Sequence, residues 1–156
     1  MSQDPAIQGN LPQVFASYRI EHAAYFVQHM TRAAWADGRR AEFCVEDAAA
    51  GRLGRVGLDL RPHEPGAAEI GYWMARPARG RGAATAAVRA LCRWAFAQPA
   101  LALDLIEWHC EAGNVASRRV AEKAGFLIEG TLRARLRHRG TRVDAWVGSR
   151  LRTDQP

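Results

Sequence analysis

Between Ala75 and Leu91 the chain reads ARPARGRGAATAAVRAL, with arginines at 76, 79 and 81, glycines at 80 and 82, and then a run of small residues. Glycine lets backbone come close to a ligand, and successive N–H groups at a helix start, aided by the helix dipole, suit a pyrophosphate. Ala83, Ala84, Ala86 and Ala87 place no bulky side chain in the way, and Thr85 adds a hydroxyl donor. Other loop chemistries fit less well. The dinucleotide fingerprint GxGxxG needs a third glycine where Thr85 stands, and a Walker A loop needs a GK followed by Ser or Thr, which is absent. An anion-binding helix end is the preferred reading, with a solvated arginine turn as the plain alternative.

The loop must be held by an element on each side. Before it, AAEIGYWM alternates Ile70, Tyr72 and Met74 with Glu69, Gly71 and Trp73, a strand pattern. After it, AATAAVRALCRWAFAQ sets Val88, Leu91, Cys92 and Ala95 along one side and ends before Pro99, which predicts a helix of about four turns. LDLIEWHCEA alternates Ile106, Trp108 and Cys110 against Glu107, His109 and Glu111. Ala68 to Glu111 therefore reads as strand, helix, strand, whose crossover should be right-handed and parallel.

The flanking segments complete the domain. RIEHAAYFVQHMTRAAWA, from Arg19 to Ala36, has helical spacing and is stopped by Asp37-Gly38. AEFCVED and RLGRVGLDL are strand-like, and the short separators AAAG and RPHEPG point to an antiparallel meander. NVASRRVAEKAGF predicts a helix capped by Asn114 and stopped by Gly125, and FLIEGTLRARLRH with TRVDAWVGSRLR forms a closing hairpin that turns at Arg139-Gly140. The expectation is a single α+β domain over residues 1–156: a mixed, mostly antiparallel sheet with one parallel, splayed junction, flanked by helices. That junction leaves a cleft, and the glycine loop sits beside it.

Composition bounds the partners. The 156 residues are 48% hydrophobic, enough for one real core. Lysine plus arginine outnumber aspartate plus glutamate by 22 to 16, giving +6, and Lys123 is the only lysine. Arginine forks pair well with phosphate, although a drift in genome composition produces the same bias. The basic run RLRHRGTR suits RNA, but a solvated hairpin or steering of an acidic substrate accounts for it, so no direct nucleic-acid partner is expected. No apolar run reaches about 18 residues, and MSQDPAIQGN lacks a signal peptide's pattern, so a cytoplasmic protein with no membrane partner is expected. Cys44, Cys92 and Cys110 lie far apart without a CxxC pair and read as reduced core residues. His22 and His29 have no third ligand at suitable spacing, so no metal is expected.

The pattern Arg79, Gly82, Ala84 in R-G-R-G-A-A resembles the acyl-CoA pyrophosphate loop of the GNAT superfamily of N-acyltransferases, Q/R-x-x-G-x-G/A. The longer strings EIGYWMARPARGRGAATAAVRAL and CEAGNVASRRVAEKAGFLIEGTLR are similar to the branch containing the ribosomal-protein N-terminal alanine acetyltransferases. The similarity runs roughly from Glu42 to the C-terminus. That branch opens with a strand of alternating arginine and leucine, for which MSQDPAIQGNLPQVF offers no counterpart, so either the first strand is missing or another element or subunit covers that sheet edge.

The resemblance implies an acetyl-CoA-dependent N-acetyltransferase in which an amine attacks the thioester directly, in a ternary complex. It assigns coenzyme A to Trp73, Met74, Arg79, Gly80, Arg81, Gly82, Ala83, Ala84 and Thr85, together with Asn114 and Ser117. An N–H near Met74 would polarise the thioester carbonyl, a type of contact worth roughly a few kcal/mol. Asn114 would bond the pantetheine arm or a water in addition to capping, and Ser117 would donate a proton to the departing thiolate. The attacking ammonium must first lose its proton. Glu69 is the candidate base, directly or through water, with Glu111 and His109 as alternatives and a surface ion pair open for each. The implied acceptor is a protein or peptide N-terminal α-amine, for example of a ribosomal protein. A small amine or antibiotic, or a non-catalytic acyl-CoA-binding module, is the alternative, and the chain would act as a monomer or homodimer.

Overall fold

The computed structural model describes residues 31–61 and 63–154. Of the helix expected from Arg19, the segment Arg32–Ala36 (α1) is described. The rest of that helix, His22, His29 and the question of a first strand lie outside the described residues. Then follow β1 (Arg40–Asp47), β2 (Gly51–Leu60), β3 (Ala67–Met74), α2 (Ala83–Ala97), β4 (Leu105–Glu111), α3 (Val115–Lys123), β5 (Leu127–His138) and β6 (Thr141–Leu151). The strands form one sheet in the order β1-β2-β3-β4-β6-β5, antiparallel except for β3 against β4. This is the expected α+β arrangement.

Strand alternation sorts the side chains onto two faces. Val56, Leu58, Ile70, Ile106 and Trp108 share a core with Val88, Leu91, Cys92 and Ala95, the stripe of α2 read from the sequence. Leu58 and Ile106 are 0% exposed and Trp108 1%, so each contributes close to its full hydrophobic transfer, about 1.5–3 kcal/mol for an aliphatic side chain. The opposite face carries charge: Glu42 is paired with Arg55, and Arg61 with Glu64, Glu69 and Glu107. One expectation is corrected here. Cys92 and Cys110 are buried, but Cys44 is exposed, because Phe43 and Val45 on either side of it face the core.

Where the sheet parts is set by its ladders. β3 pairs with β4 only from Ala67↔Leu105 to Ile70↔Trp108. Past that point β3 stays with β2 as far as Met74↔Gly54, and β4 stays with β6 as far as Glu111↔Ala145. The two strands thus fork toward their C-terminal ends and open a wedge in the middle of the sheet. Among the described residues no helix is long and apolar enough to cross a membrane, and no group of three His, Cys, Asp or Glu is placed to hold a metal.

Candidate active site

The wedge exposes backbone. The Ala75 N–H donates to Leu53 O at 2.7 Å, which makes Met74 and Gly54 a non-hydrogen-bonded pair. The N–H of Met74 therefore points away from β2 and into the wedge, as does that of Tyr72 two residues earlier. Behind it, β2 and β3 are in close contact: a Cβ on Gly54 would be driven into the Trp73 carbonyl oxygen and to 2.9 Å from Met74 Sδ. The Met74 carbonyl is already used, accepting from Arg79 Nε at 3.0 Å. Arg79 thus ties the glycine loop to the end of β3, whereas the sequence reading gave it only to phosphate.

The loop runs through a short 3-10 turn, Arg76–Ala78, to Gly80 and Gly82, whose φ values are +73° and +79°. Both need the left-handed region, and a Cβ at either would stand in open space. Gly82 is the N-cap of α2, and the first helical bond runs from Ala86 N–H to Gly82 O at 3.0 Å. The amides of Ala83, Ala84 and Thr85 consequently have no partner within the helix. Arg81 is exposed at the same place. Two glycines without side chains and three helix-start amides without intrahelical partners make a cradle suited to an anion.

On the helix face, Ser117 closes the crotch of the fork. Its Oγ lies 2.9 Å from Tyr72 Oη on β3 and accepts from Trp108 Nε1 on β4 at 3.2 Å. The Tyr72 hydroxyl is also 3.0 Å from the Ser117 carbonyl. Indole N–H can only donate, so one lone pair of Oγ is taken by Trp108 and the serine proton is left for Tyr72 or for the wedge. Burial pushes the Tyr72 phenol up to about 12 and the Cys110 thiol up to about 12, so both stay protonated at neutral pH. Asn114 caps α3 as expected, its Oδ1 accepting from Ser117 N–H at 3.1 Å. The cap leaves the amide nitrogen of Asn114 available.

A second brace lies on the other face. Glu69 Oε2 is 3.4 Å from His109 Nδ1 and 3.1 Å from Arg61 Nη2. His109 is the first residue of β4 past the last rung, and its side chain is 7% exposed. Its hydrogen bond, outweighing burial and helped by Arg61, holds the Glu69 carboxyl below the usual carboxylate value. Glu111 bonds His138 Nδ1 at 2.6 Å. Glu69 itself sits five residues before Met74, about 17 Å along the strand, and on the face away from Ser117.

Residues 1–127 match the model of the acetyltransferase (GNAT) domain. The chain belongs to the GNAT acetyltransferase family. Over 87 residues it is 40% identical to the Bacillus subtilis (strain 168) protein named "Putative ribosomal N-acetyltransferase YdaF", covering 56% of this chain and 46% of that one. The chain thus spans about half the length of that curated relative. The solved structure of Mycobacterium smegmatis RimJ in complex with CoA-disulfide superposes with a TM-score of 0.85 at 24% identity, covering 99% of this chain and 75% of that one. The Vibrio cholerae spermidine N-acetyltransferase in complex with CoA and spermine gives 0.80 at 20% identity, covering 98% and 86%. Both likenesses concern the fold.

Within this GNAT domain the structure brings Met74, Ser117 and Asn114 to the wedge and places Gly80 to Thr85 beside its open end. Trp73 is half-buried on the Glu69 face, with its N–H and carbonyl turned to β2. Sequence reasoning missed Tyr72 and the indole of Trp108 as polar partners of Ser117. Their signal was present: two core-facing aromatics with polar tips, one on each side of the parallel junction. Nothing in the sequence indicated Arg61 as the cation beside Glu69.

Proposed function

We propose that this GNAT domain is an acetyl-CoA-dependent N-acetyltransferase whose acceptor is a protein or peptide N-terminal α-amine. The reading rests on one juxtaposition: an inward N–H at Met74 and a braced hydroxyl at Ser117 on the two sides of a fork that opens beside a glycine-lined helix start. Acetyl-CoA would supply a thioester already activated for attack. The amides of Ala83, Ala84 and Thr85, with Arg81, would hold its diphosphate, and the forked edge of β3 would take its arm. The Met74 N–H is aimed where the carbonyl oxygen gains charge as the amine attacks. Ser117 Oγ–H is placed to protonate the departing sulfur.

Proton removal falls to His109. Glu69 is held below its ordinary carboxylate value by the His109 hydrogen bond and is a weak proton acceptor for it, whereas a neutral imidazole ring keeps one nitrogen able to accept a proton. Glu69 orients the ring, so its contribution to the base is made through His109. Relatives named for ribosomal acetylation favour the α-amine. The deciding measurement is thiol release from acetyl-CoA with a panel of N-terminal peptides and small amines. Turnover on peptides that falls at least tenfold in Ser117→Ala, with coenzyme A affinity kept, is the expected result. Coenzyme A binding without thiol release on any amine would overturn the enzyme reading in favour of a binding module.

A further inference from the structure

We infer that the tip of the β5–β6 hairpin is a docking arm for acidic peptides, so that the amine acetylated here stands at the head of an acidic segment. The inference rests on the acyl-transfer reading above and narrows its substrate class. β6 leaves β4 at the Glu111↔Ala145 pair, and residues 141–144 lie beyond it. That overhang, about 13 Å at the usual strand rise, extends past the C-terminal end of β4, the end at which β3 and β4 part. The arm therefore flanks the mouth of the wedge.

Its charge is one-sided. Arg133, Arg135, Arg137, Arg139 and Arg142 are all exposed, and none forms an ion pair among the described residues. Arg137 donates to the Gly140 carbonyl at 3.1 Å, and Arg142 to the carbonyls of Ala134 and Arg135 at 3.3 and 3.4 Å. By contrast Arg40, Arg55, Arg61, Arg118 and Arg152 each have a carboxylate. Two carboxylates lie near the arm, Glu111 bonded to His138 and Asp144 accepting from the Ala134 N–H at 2.8 Å, and the five arginines outnumber them. An edge strand needs some charge to deter pairing with other edges, but one or two cations serve that purpose. Five forks beside a catalytic opening make a field that concentrates anions and repels polycations.

A polypeptide suits this arm better than single-stranded nucleic acid, which binds by stacking on exposed aromatics. Residues 127–142 contain no Phe, Tyr or Trp. Trp146, the next such residue along β6, is covered by the Arg118 guanidinium at 5.0 Å.

The test uses the full chain, acetyl-CoA, and three peptides that share an N-terminal residue but carry glutamate-, serine- or lysine-rich flanks. At about 50 mM salt the acidic peptide should show at least about tenfold higher kcat/KM than the basic one, mostly in KM, falling below about threefold at 300 mM as screening shortens the field. Arg135→Gln/Arg137→Gln/Arg139→Gln, checked for an unchanged melting temperature, should erase that preference and leave small-amine turnover intact. Arg139→Gln alone should give a partial loss. Flank-independent rates, or faster turnover of the basic peptide or spermine, would overturn the inference while leaving the enzyme reading standing. So would tight binding of a 20-mer RNA without peptide selectivity. Silence on every amine would remove both.

Discussion

Replacing Tyr72 by phenylalanine removes one oxygen and leaves the ring in the core. That oxygen is 2.9 Å from Ser117 Oγ and 3.0 Å from the Ser117 carbonyl. The carbonyl is not orphaned, since α3 continues to Lys123 and supplies the amide four residues on. Oγ keeps its bond from Trp108 Nε1. The loss is therefore one or two ordinary hydrogen bonds, about 1–2 kcal/mol. In a chain of this length that lowers the melting temperature by about 2–8 °C. The catalytic effect is separate. With the phenol gone the serine hydroxyl is free to rotate, and a general acid worth about 100-fold or more loses part of its aim. A drop of about tenfold in kcat, with KM for acetyl-CoA unchanged, is expected in the thiol-release assay. Because burial keeps the phenol protonated up to about 12, the pH profile near neutrality should keep its shape. Tyr72→Phe/Ser117→Ala should be no slower than Ser117→Ala alone, because Tyr72 acts through the serine. Losses that multiply in the double variant would refute that dependence.

Two further outcomes follow from the loop and the charged face. Gly82→Val puts a β-branched residue at φ +79° and into the open space before the α2 amides, so coenzyme A affinity should fall at least tenfold by calorimetry. Unaltered affinity would mean that the diphosphate lies elsewhere. Glu69→Gln should cost stability at pH 7, because a carboxyl held below its ordinary value stabilises the fold above that value and loses the effect as pH falls through its folded value. The gap in denaturation midpoint between wild type and variant should begin to narrow below about pH 4.5 and go on narrowing with further acid, and a gap that does not change with pH would show that the pair with His109 and Arg61 is not its source.

The elements were legible because periodicity and caps act locally. The stripe Val88, Leu91, Cys92, Ala95, the Asn114 cap and the Arg139-Gly140 turn, with φ of +47° and +86°, all rest on residues within a turn or two of one another. The site was legible only in part. Ser117 stood out by motif, but its bond to Tyr72 joins positions 45 apart, and only the folded sheet brings them together. The same holds for Arg61, a loop residue whose charge reaches two strands. Cys44 was misread because composition ranks cysteine as buried, whereas its register on β1 turns it outward. The extent of the fork depends on where the rungs between β3 and β4 stop, which no local pattern encodes.

Gly54 makes the wedge sensitive to mutation from behind. The wall behind the Met74 amide is close-set main chain, with the Met74 thioether lying over Gly54, which has no side chain of its own. Changes on the outer faces of β2 and β3 can therefore accumulate while that amide stays where it is. A single methyl at Gly54 would push the whole segment forward. An engineer seeking to retune the carbonyl-binding side would find little freedom on either wall, since the opposite one is built from the buried indole of Trp108 and the Ser117 hydroxyl that it braces.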